Sequence, residues 1–393
     1  MKLALVVQRY GEGFSGGAEA HCRSLAQRLS DNHEVTALAS CARDYLTWEN
    51  HYPAGEDRDA KVSVLRFEAR PRRPQALREI SERVWAGTAQ RHEERAWFEE
   101  NGPVTPGLHN YLEDHGDEYD LILFWTFRYW QTWDGLPLVA DRAVLVPTAE
   151  RDWAIRMEVL GEFFRLPRGY LFLTPEEQTL VEDRCEGALP PSCVIGAGIA
   201  PAPAPGAPGH ISGVLAGLGV TAPYILYLGR LDPNKGCRSL FDYFTAYAST
   251  RDDAPHLVLA GQAAMEIPTH PKITPLGFVS DTTRANLMSG ARVLVAPSLY
   301  ESLCMVVLEA WNVGLPVLVN GRCDVLRGQT IRANGGLYYC DFLEFCEALD
   351  FFMRKPEQAS VLGTQGTCYV QREYRWPTVM AKLEAFLAQL SVA

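Results

Sequence analysis

Residues 224–236 read Tyr-Ile-Leu-Tyr-Leu-Gly-Arg-Leu-Asp-Pro-Asn-Lys-Gly, and this stretch decides the fold reading. Tyr224 to Leu228 form a short apolar run rich in β-favouring side chains, the pattern of a buried strand. Asp232-Pro233-Asn234 supplies turn chemistry, and residues 238–249 then read as a helix. Strand, short loop and helix in that order are the unit of a parallel sheet covered by helices. Arg230 and Lys235 leave the strand's carboxyl end on the loop. Two fixed cations there suit a diphosphate, arginine as a planar fork and lysine as a point charge. A solvated basic loop is the bland alternative.

The same alternation runs outward in both directions. Downstream, strands are predicted at 256–260, 272–275, 292–296 and 316–319, and helices at 282–289, 303–313 and 342–352. A final helix over 377–390 has Pro377 at its first position and Val379, Met380, Leu383, Phe386, Leu387 and Leu390 on one face. Upstream, strands are predicted at 3–7, 34–39, 62–67, 121–124, 143–146 and 169–173, with helices such as 18–29 and 175–184. Between the two series, residues 196–213 read GAGIAPAPAPGAPGHISG. Such a Pro/Gly/Ala stretch holds neither helix nor sheet and reads as a linker. The expectation is an α/β chain with a Rossmann-like domain at 1–195, a linker at 196–222, a second Rossmann-like domain at 223–372 and a last helix at 373–393.

Composition narrows the class. Of 393 residues, 47% are hydrophobic and 22% charged, an ordinary globular balance. The net charge is −11, which does not suit a general nucleic-acid binder. The 10 cysteines show neither CxxC nor a Cys/His ligand spacing, so no structural zinc site is expected. The opening Met-Lys-Leu-Ala-Leu-Val-Val reads as a strand, too short for a signal peptide. No run of about 18 apolar residues exists to span a membrane. The expected setting is cytoplasmic with reduced thiols.

Three further motifs bear on chemistry. Gly11, Gly13 and Gly16 match G-x-G-x-x-G after a strand and before a helix, which admits an NAD-dependent oxidoreductase. Three residues separate the strand from Gly11, however, and the next strand ends at Ser40-Cys41 with no acid to hold a ribose. A second reading takes Gly16-Gly17-Ala18-Glu19 as a helix start whose bare backbone admits a substrate. Glu301 and Glu309 stand eight positions apart. On one helix they would lie about 12 Å apart along the axis and roughly 80° around it. They can line one ligand if Glu301 precedes the helix and Glu309 lies in its second turn. Ser302 is then a candidate cap, with the N–H groups of Leu303, Cys304 and Met305 facing an anion. Solvated acids are the bland alternative.

Taken together, Gly16–Glu19, Gly229–Gly236 and the Glu301/Glu309 pair resemble the retaining GT-B glycosyltransferases of family 4, along the whole chain. The resemblance implies two Rossmann-like domains facing across a cleft, with the last helix crossing back to the first domain. It implies a nucleotide-sugar donor of UDP or GDP type as substrate, with no cofactor and no metal. Arg230 and Lys235 would grip the pyrophosphate, Glu309 the ribose and Glu301 the sugar hydroxyls. The backbone of Gly277, Phe278 and Val279 would meet the base, and Gly16 and Gly17 would approach the phosphates. The acceptor would be a hydroxyl of a sugar, glycoconjugate or small molecule.

The chain departs from the family pattern twice. Ser302-Leu303-Cys304 stands where small residues are usual, and Glu150 stands where the family usually has a histidine beside the donor sugar. A carboxylate there can support positive charge on the sugar but donates no hydrogen bond unless protonated. A nucleotide-sugar-binding protein without catalysis is therefore the other alternative. The aromatic run Phe124–Trp133 suits either core packing or stacking on an acceptor. The arginines between Arg66 and Arg95 suit either a salt-bridged helix or a weak peripheral membrane contact. Asp252-Asp253 reads as solvated loop rather than metal site, and residues 320–324 as a turn.

Overall fold

The computed structural model describes residues 1–14, 16–202, 213, 216, 217, 220 and 223–392. The chain divides into two compact units, Met1–Gly196 with Met380–Ala393, and Ala197–Val379.

The first unit is built on β1 (Lys2–Val6), β2 (Glu34–Ser40), β3 (Gly55–Asp59), β4 (Val62–Phe67), β5 (Leu121–Trp125), β6 (Ala143–Val146), β7 (Gly169–Phe172) and β8 (Ser192–Val194). Their order across the sheet is β3-β4-β2-β1-β5-β6-β7-β8. Neighbours run parallel except at the edge, where β3 pairs with β4 antiparallel. Every residue of β5, β6 and β7 is buried, as expected for parallel strands covered on both faces. The second unit carries β9 (Tyr224–Leu228), β10 (His256–Ala260), β11 (Ile273–Gly277), β12 (Leu294–Ala296), β13 (Val317–Asn320) and β14 (Gly336–Tyr339). These are all parallel, in the order β11-β10-β9-β12-β13-β14. In each sheet the first strand sits where the connection reverses, β1 between β2 and β5, and β9 between β10 and β12. Ligands of open α/β sheets bind beyond the carboxyl ends of the strands flanking that reversal.

Several expectations are corrected. The helix expected at 303–313 is Met305–Asn312, and the last helix is Trp376–Val392. Residues 320–324 are a strand end, a turn and the start of the helix Asp324–Ala333. Residues 196–202 hold neither helix nor strand, apart from a bridge from Ile199 to Arg375. Most of the rest of the expected linker lies outside the described residues. From Met380 on, the last helix packs within the first unit. His33 Nε2 meets Glu384 Oε2 at 2.8 Å, and Gly169 leaves room for Leu390 and Phe386.

The basic segment proves mixed. Arg66 belongs to β4 and is buried, with Asp57 at 3.3 Å. The arginines beyond it lie on and around two helices, Pro74–Trp85 and Arg91–Asn101. Three of them hold carboxylates, in the pairs Arg83–Glu93, Arg91–Glu162 and Arg73–Glu100. The aromatic run is mostly core: Phe124, Trp125 and Phe127 are buried, and Trp133 stacks on Phe98 at 4.2 Å.

Under the first sheet, the buried His21 Nδ1 accepts from Trp125 Nε1 at 3.2 Å. Burial pushes its pKa down to about 4. A depressed folded pKa means that the unfolded chain takes the proton more readily. This residue's contribution to stability is thus present above about pH 6.5 and lost as pH falls toward 4. The denaturant midpoint of the wild type should drop across that window, and His21→Gln should flatten the drop.

Candidate functional site

In the second unit the site grows from the reversal point. The loop after β9 runs through Gly229 to Gly236, and the loop after β12 runs from Pro297 to Cys304. The two touch through backbone: a Cβ on Gly236 would lie 2.1 Å from the Pro297 carbonyl oxygen. Gly236 also has φ +74, a left-handed conformation that side chains disfavour. Both constraints demand glycine here. Gly236→Ala should cost about 2–3 kcal/mol from backbone strain plus the clash, read as a lowered melting temperature.

This contact brings Lys235 to Glu301, with Nζ 2.8 Å from Oε1. The Glu301 side chain is only 11% exposed, so water screens this pair weakly. Arg230 Nε lies 3.1 Å from Asp232, which also caps the turn by accepting from Asn234 N–H at 2.8 Å. Glu301 stands before the helix Met305–Asn312 and Glu309 in its second turn, as the spacing allows. Glu309 pairs with Arg284 of the helix Asp281–Gly290. Burial lowers the pKa of Arg284, a partner that the sequence offered no signal to find.

The helix start differs from the expectation. Cys304, not Ser302, occupies the cap position, and it does so with φ +65. Leu303 is buried and precedes the helix, so its N–H is not part of the first turn. Val307 N–H returns to the Cys304 carbonyl at 3.1 Å. Met305 and Val306 open the first turn of the helix, where N–H groups lack an intrahelical partner. Burial pushes the Cys304 thiol well up, with Glu301 adding to the effect, so it is no nucleophile at neutral pH. Gly277 ends β11 with φ +67 in open space, and Phe278 beside it is 86% exposed. Asp252 and Asp253 are exposed between the helix Cys237–Ser249 and β10.

In the first unit, Gly16 caps the helix Gly17–Leu29. A Cβ on Gly16 would lie 2.0 Å from Glu19 Oε2, because the Glu19 carboxylate folds back over it. Arg9 holds that carboxylate through Nε at 2.9 Å and reaches the Arg43 carbonyl at 2.9 Å. A pyrophosphate at this helix start would meet the Glu19 carboxylate, which argues against the dinucleotide reading of Gly11, Gly13 and Gly16. Gly17 has open space around it.

Glu150 lies beyond β6, but the strand does not persist to it: Thr148 takes φ +46. Alternation therefore does not decide where Glu150 points. Arg128, from the loop after β5, stands 3.6 Å from Glu150 and 2.7 Å from Asp152. Burial works against the Arg128 charge, but Asp152 and Glu150 outweigh it and its pKa is raised. The loop is pinned from below by Glu177, fully buried, whose two oxygens accept from Ala149 N–H and Leu173 N–H, each at 2.7 Å. Burial pushes the Glu177 carboxyl up to about 8. Arg128 was hidden inside the aromatic run. Glu177 had a signal, the Thr174-x-x-Glu capping pattern at a helix start.

The chain is similar to known proteins in part of its sequence and in its fold. Residues 222–350 match the family described as glycosyl transferases group 1. An uncharacterized glycosyltransferase of Methanocaldococcus jannaschii is 33% identical over 105 residues, which are 24% of this chain and 26% of that protein. The chain thus matches about a quarter of that relative's length. Among solved structures, sucrose-phosphate synthase from Thermosynechococcus elongatus superposes with a TM-score of 0.71 at 17% identity, covering 100% of this chain and 99% of that one. Anabaena HepE in complex with UDP and glucose superposes with a TM-score of 0.69 at 16% identity, covering 99% and 100%. The fold is GT-B: α/β, with two Rossmann-like units.

Proposed function

We propose that the protein is a glycosyltransferase that moves a sugar from a nucleotide-activated donor to an acceptor hydroxyl, retaining the configuration at the anomeric carbon. The observation that carries this reading is the meeting of Lys235 and Glu301 at the β9/β12 reversal, with Arg230 on the same loop as Lys235, within the stretch that matches the group 1 family. The UDP complex of a structural neighbour supports a nucleoside diphosphate as the leaving group.

In this reading Arg230 and Lys235 balance the charge that develops on the diphosphate, with the helix start at Met305 adding its dipole. Glu301 orients the sugar hydroxyls while its pair with Lys235 holds both side chains in place. Glu309 accepts from the ribose hydroxyls once Arg284 yields. Gly277, Phe278 and Val279 meet the base. Gly17 and Glu150 complete the donor contacts, Glu150 offsetting positive charge on the ring, whereas Gly16 is covered by the Glu19 carboxylate. The anomeric C–O bond to the phosphate breaks as the acceptor oxygen bonds to the same face. The acceptor proton passes to a phosphate oxygen, so no protein nucleophile is needed.

Turnover in this scheme is independent of divalent metal, the cations doing that work. It should persist in excess EDTA; loss in EDTA with recovery on Mn²⁺ or Mg²⁺ would overturn that part. Binding is tested by thermal shift with UDP, GDP and their hexose conjugates. A stabilisation by one nucleoside diphosphate series, lost in Lys235→Ala, is expected. No stabilisation by any of them would contradict the reading.

A further inference from the structure

A cavity of about 570 Å³ opens in the first unit, beside the loop after β5 that carries Arg128. Its lining includes Trp48, Arg70, Arg72, Arg73, His109 and Trp130. The walls are firmly built. Trp48 is buried, donates from Nε1 to the Asn101 carbonyl at 2.7 Å, and packs edge-on against Tyr129 at 5.6 Å. Arg70 N–H bonds the Val104 carbonyl at 2.9 Å, and Arg72 N–H bonds the Thr47 carbonyl at 3.0 Å. Trp130 N–H closes the frame on the Gly102 carbonyl at 3.1 Å.

Three arginines and three carboxylates line the cavity, so their formal charges balance, but they are not all paired. Arg73 is taken by Glu100, and His109 by Asp134 at 2.7 Å. Glu99 lies exposed to water. Neither Arg70 nor Arg72 has a carboxylate within ion-pair distance among the described residues. Arg72 lies over the Trp48 ring at 5.1 Å and is steadied by the Asn101 carbonyl. Its Nε is shielded from solvent and unbonded. Burial lowers its pKa, while Tyr129, Asp44 and Tyr45 act on it only at a distance. A half-buried guanidinium with no counter-ion is costly unless an anion arrives to use it.

We propose that this cavity binds a phosphomonoester, its dianion taken by Arg70 and Arg72 and its organic body set against Trp130. Two unpaired guanidinium groups match a dianion in charge, where a carboxylate would neutralise only one. Trp130, 8% exposed, offers an aromatic edge to the apolar face of a sugar ring. That the bound group belongs to the acceptor rests on the sugar-transfer reading; the anion site itself does not. The phosphoryl group can come from a soluble sugar phosphate or from a lipid headgroup.

The test is calorimetric titration of the full chain with inorganic phosphate, a hexose 6-phosphate, the unphosphorylated hexose and glucuronate. Flotation with phosphatidic acid vesicles runs beside it. UDP and GDP binding is measured on every sample. The hexose phosphate or the phosphatidic acid vesicles should bind, and which of them binds assigns the source. Arg70→Gln, at an exposed position, should weaken that binding about tenfold or more while nucleotide binding is unchanged. Arg72→Lys should weaken it too, since a point charge replaces the fork. No binding of either phosphoryl source by a protein that still binds nucleotide overturns the cavity assignment alone. Equal affinity in Arg70→Gln, or glucuronate bound as tightly as the phosphate, overturns it as well. Anion binding at the cavity without any nucleotide binding upholds the site and contradicts the sugar-transfer reading instead.

Discussion

Lys235→Ala is expected to lower turnover by about 10²–10³-fold, the loss typical of one fixed donor aimed at developing charge. The size follows from placement. Lys235 sits on a loop fixed by the Gly236–Pro297 backbone contact and is held by Glu301 at 2.8 Å. It therefore needs little rearrangement to meet a diphosphate. Removing the cation also leaves the Glu301 carboxylate, little exposed, without this partner. Glu301→Gln separates the two effects. It keeps the shape, removes the ion pair with Lys235, and should lower turnover by weakening the grip on the sugar more than on the nucleotide. Arg230→Ala should lose about tenfold or more, because Arg230 is more exposed and its neighbour Asp232 is retained. Steady-state rates for the three variants, with nucleotide affinity measured separately, check this ordering. Near-wild-type rates in both Arg230→Ala and Lys235→Ala would remove the assignment.

The second large effect is on stability. Arg128 joins Asp152 at 2.7 Å and Glu150 at 3.6 Å, with a side chain only 20% exposed. Arg128→Ala leaves two neighbouring carboxylates, one of them buried, without this cation. Breaking such a pair from one side costs about 3–5 kcal/mol when burial is complete, and the lower end is expected here. Chemical denaturation should show the loss. Glu150→Gln is the contrasting variant. Arg128 keeps Asp152, so the denaturation midpoint should hold. Turnover should fall, because the role proposed for Glu150 is to set its charge against the sugar ring. An unchanged rate in Glu150→Gln across pH would reduce Glu150 to a lining residue.

Much of the fold was legible because parallel strands buried on both faces are continuous apolar runs. Ala143–Val146, Tyr224–Leu228 and His256–Ala260 begin and end where the sequence pattern does, and Val62–Phe67 does so with alternating burial instead. β3 was missed because Gly55–Asp59 is an exposed edge strand, Gly-Glu-Asp-Arg-Asp, with no apolar face to display a period. The helix start at Met305 was misplaced because Ser302 looks like a cap. Cys304 instead adopts a left-handed conformation that no propensity favours. At the candidate site, Glu301 before a helix and Glu309 in its second turn was an arrangement that the spacing allowed. Their partners were not legible in it. Lys235 meets Glu301 and Arg284 meets Glu309 only because sheet order brings separate loops and helices together. Arg9 over Glu19 was likewise invisible, although both flank the glycine motif that was read.

The central claim is sugar transfer from a nucleotide donor. Its most direct test incubates the purified chain with UDP- and GDP-hexoses and an alcohol acceptor, and follows nucleoside diphosphate release and the anomeric proton of the product by NMR. The account predicts release of one nucleoside diphosphate, a product with the donor's anomeric configuration, and loss of both signals in Lys235→Ala. Binding of the donor without release, or a product of inverted configuration, would contradict it.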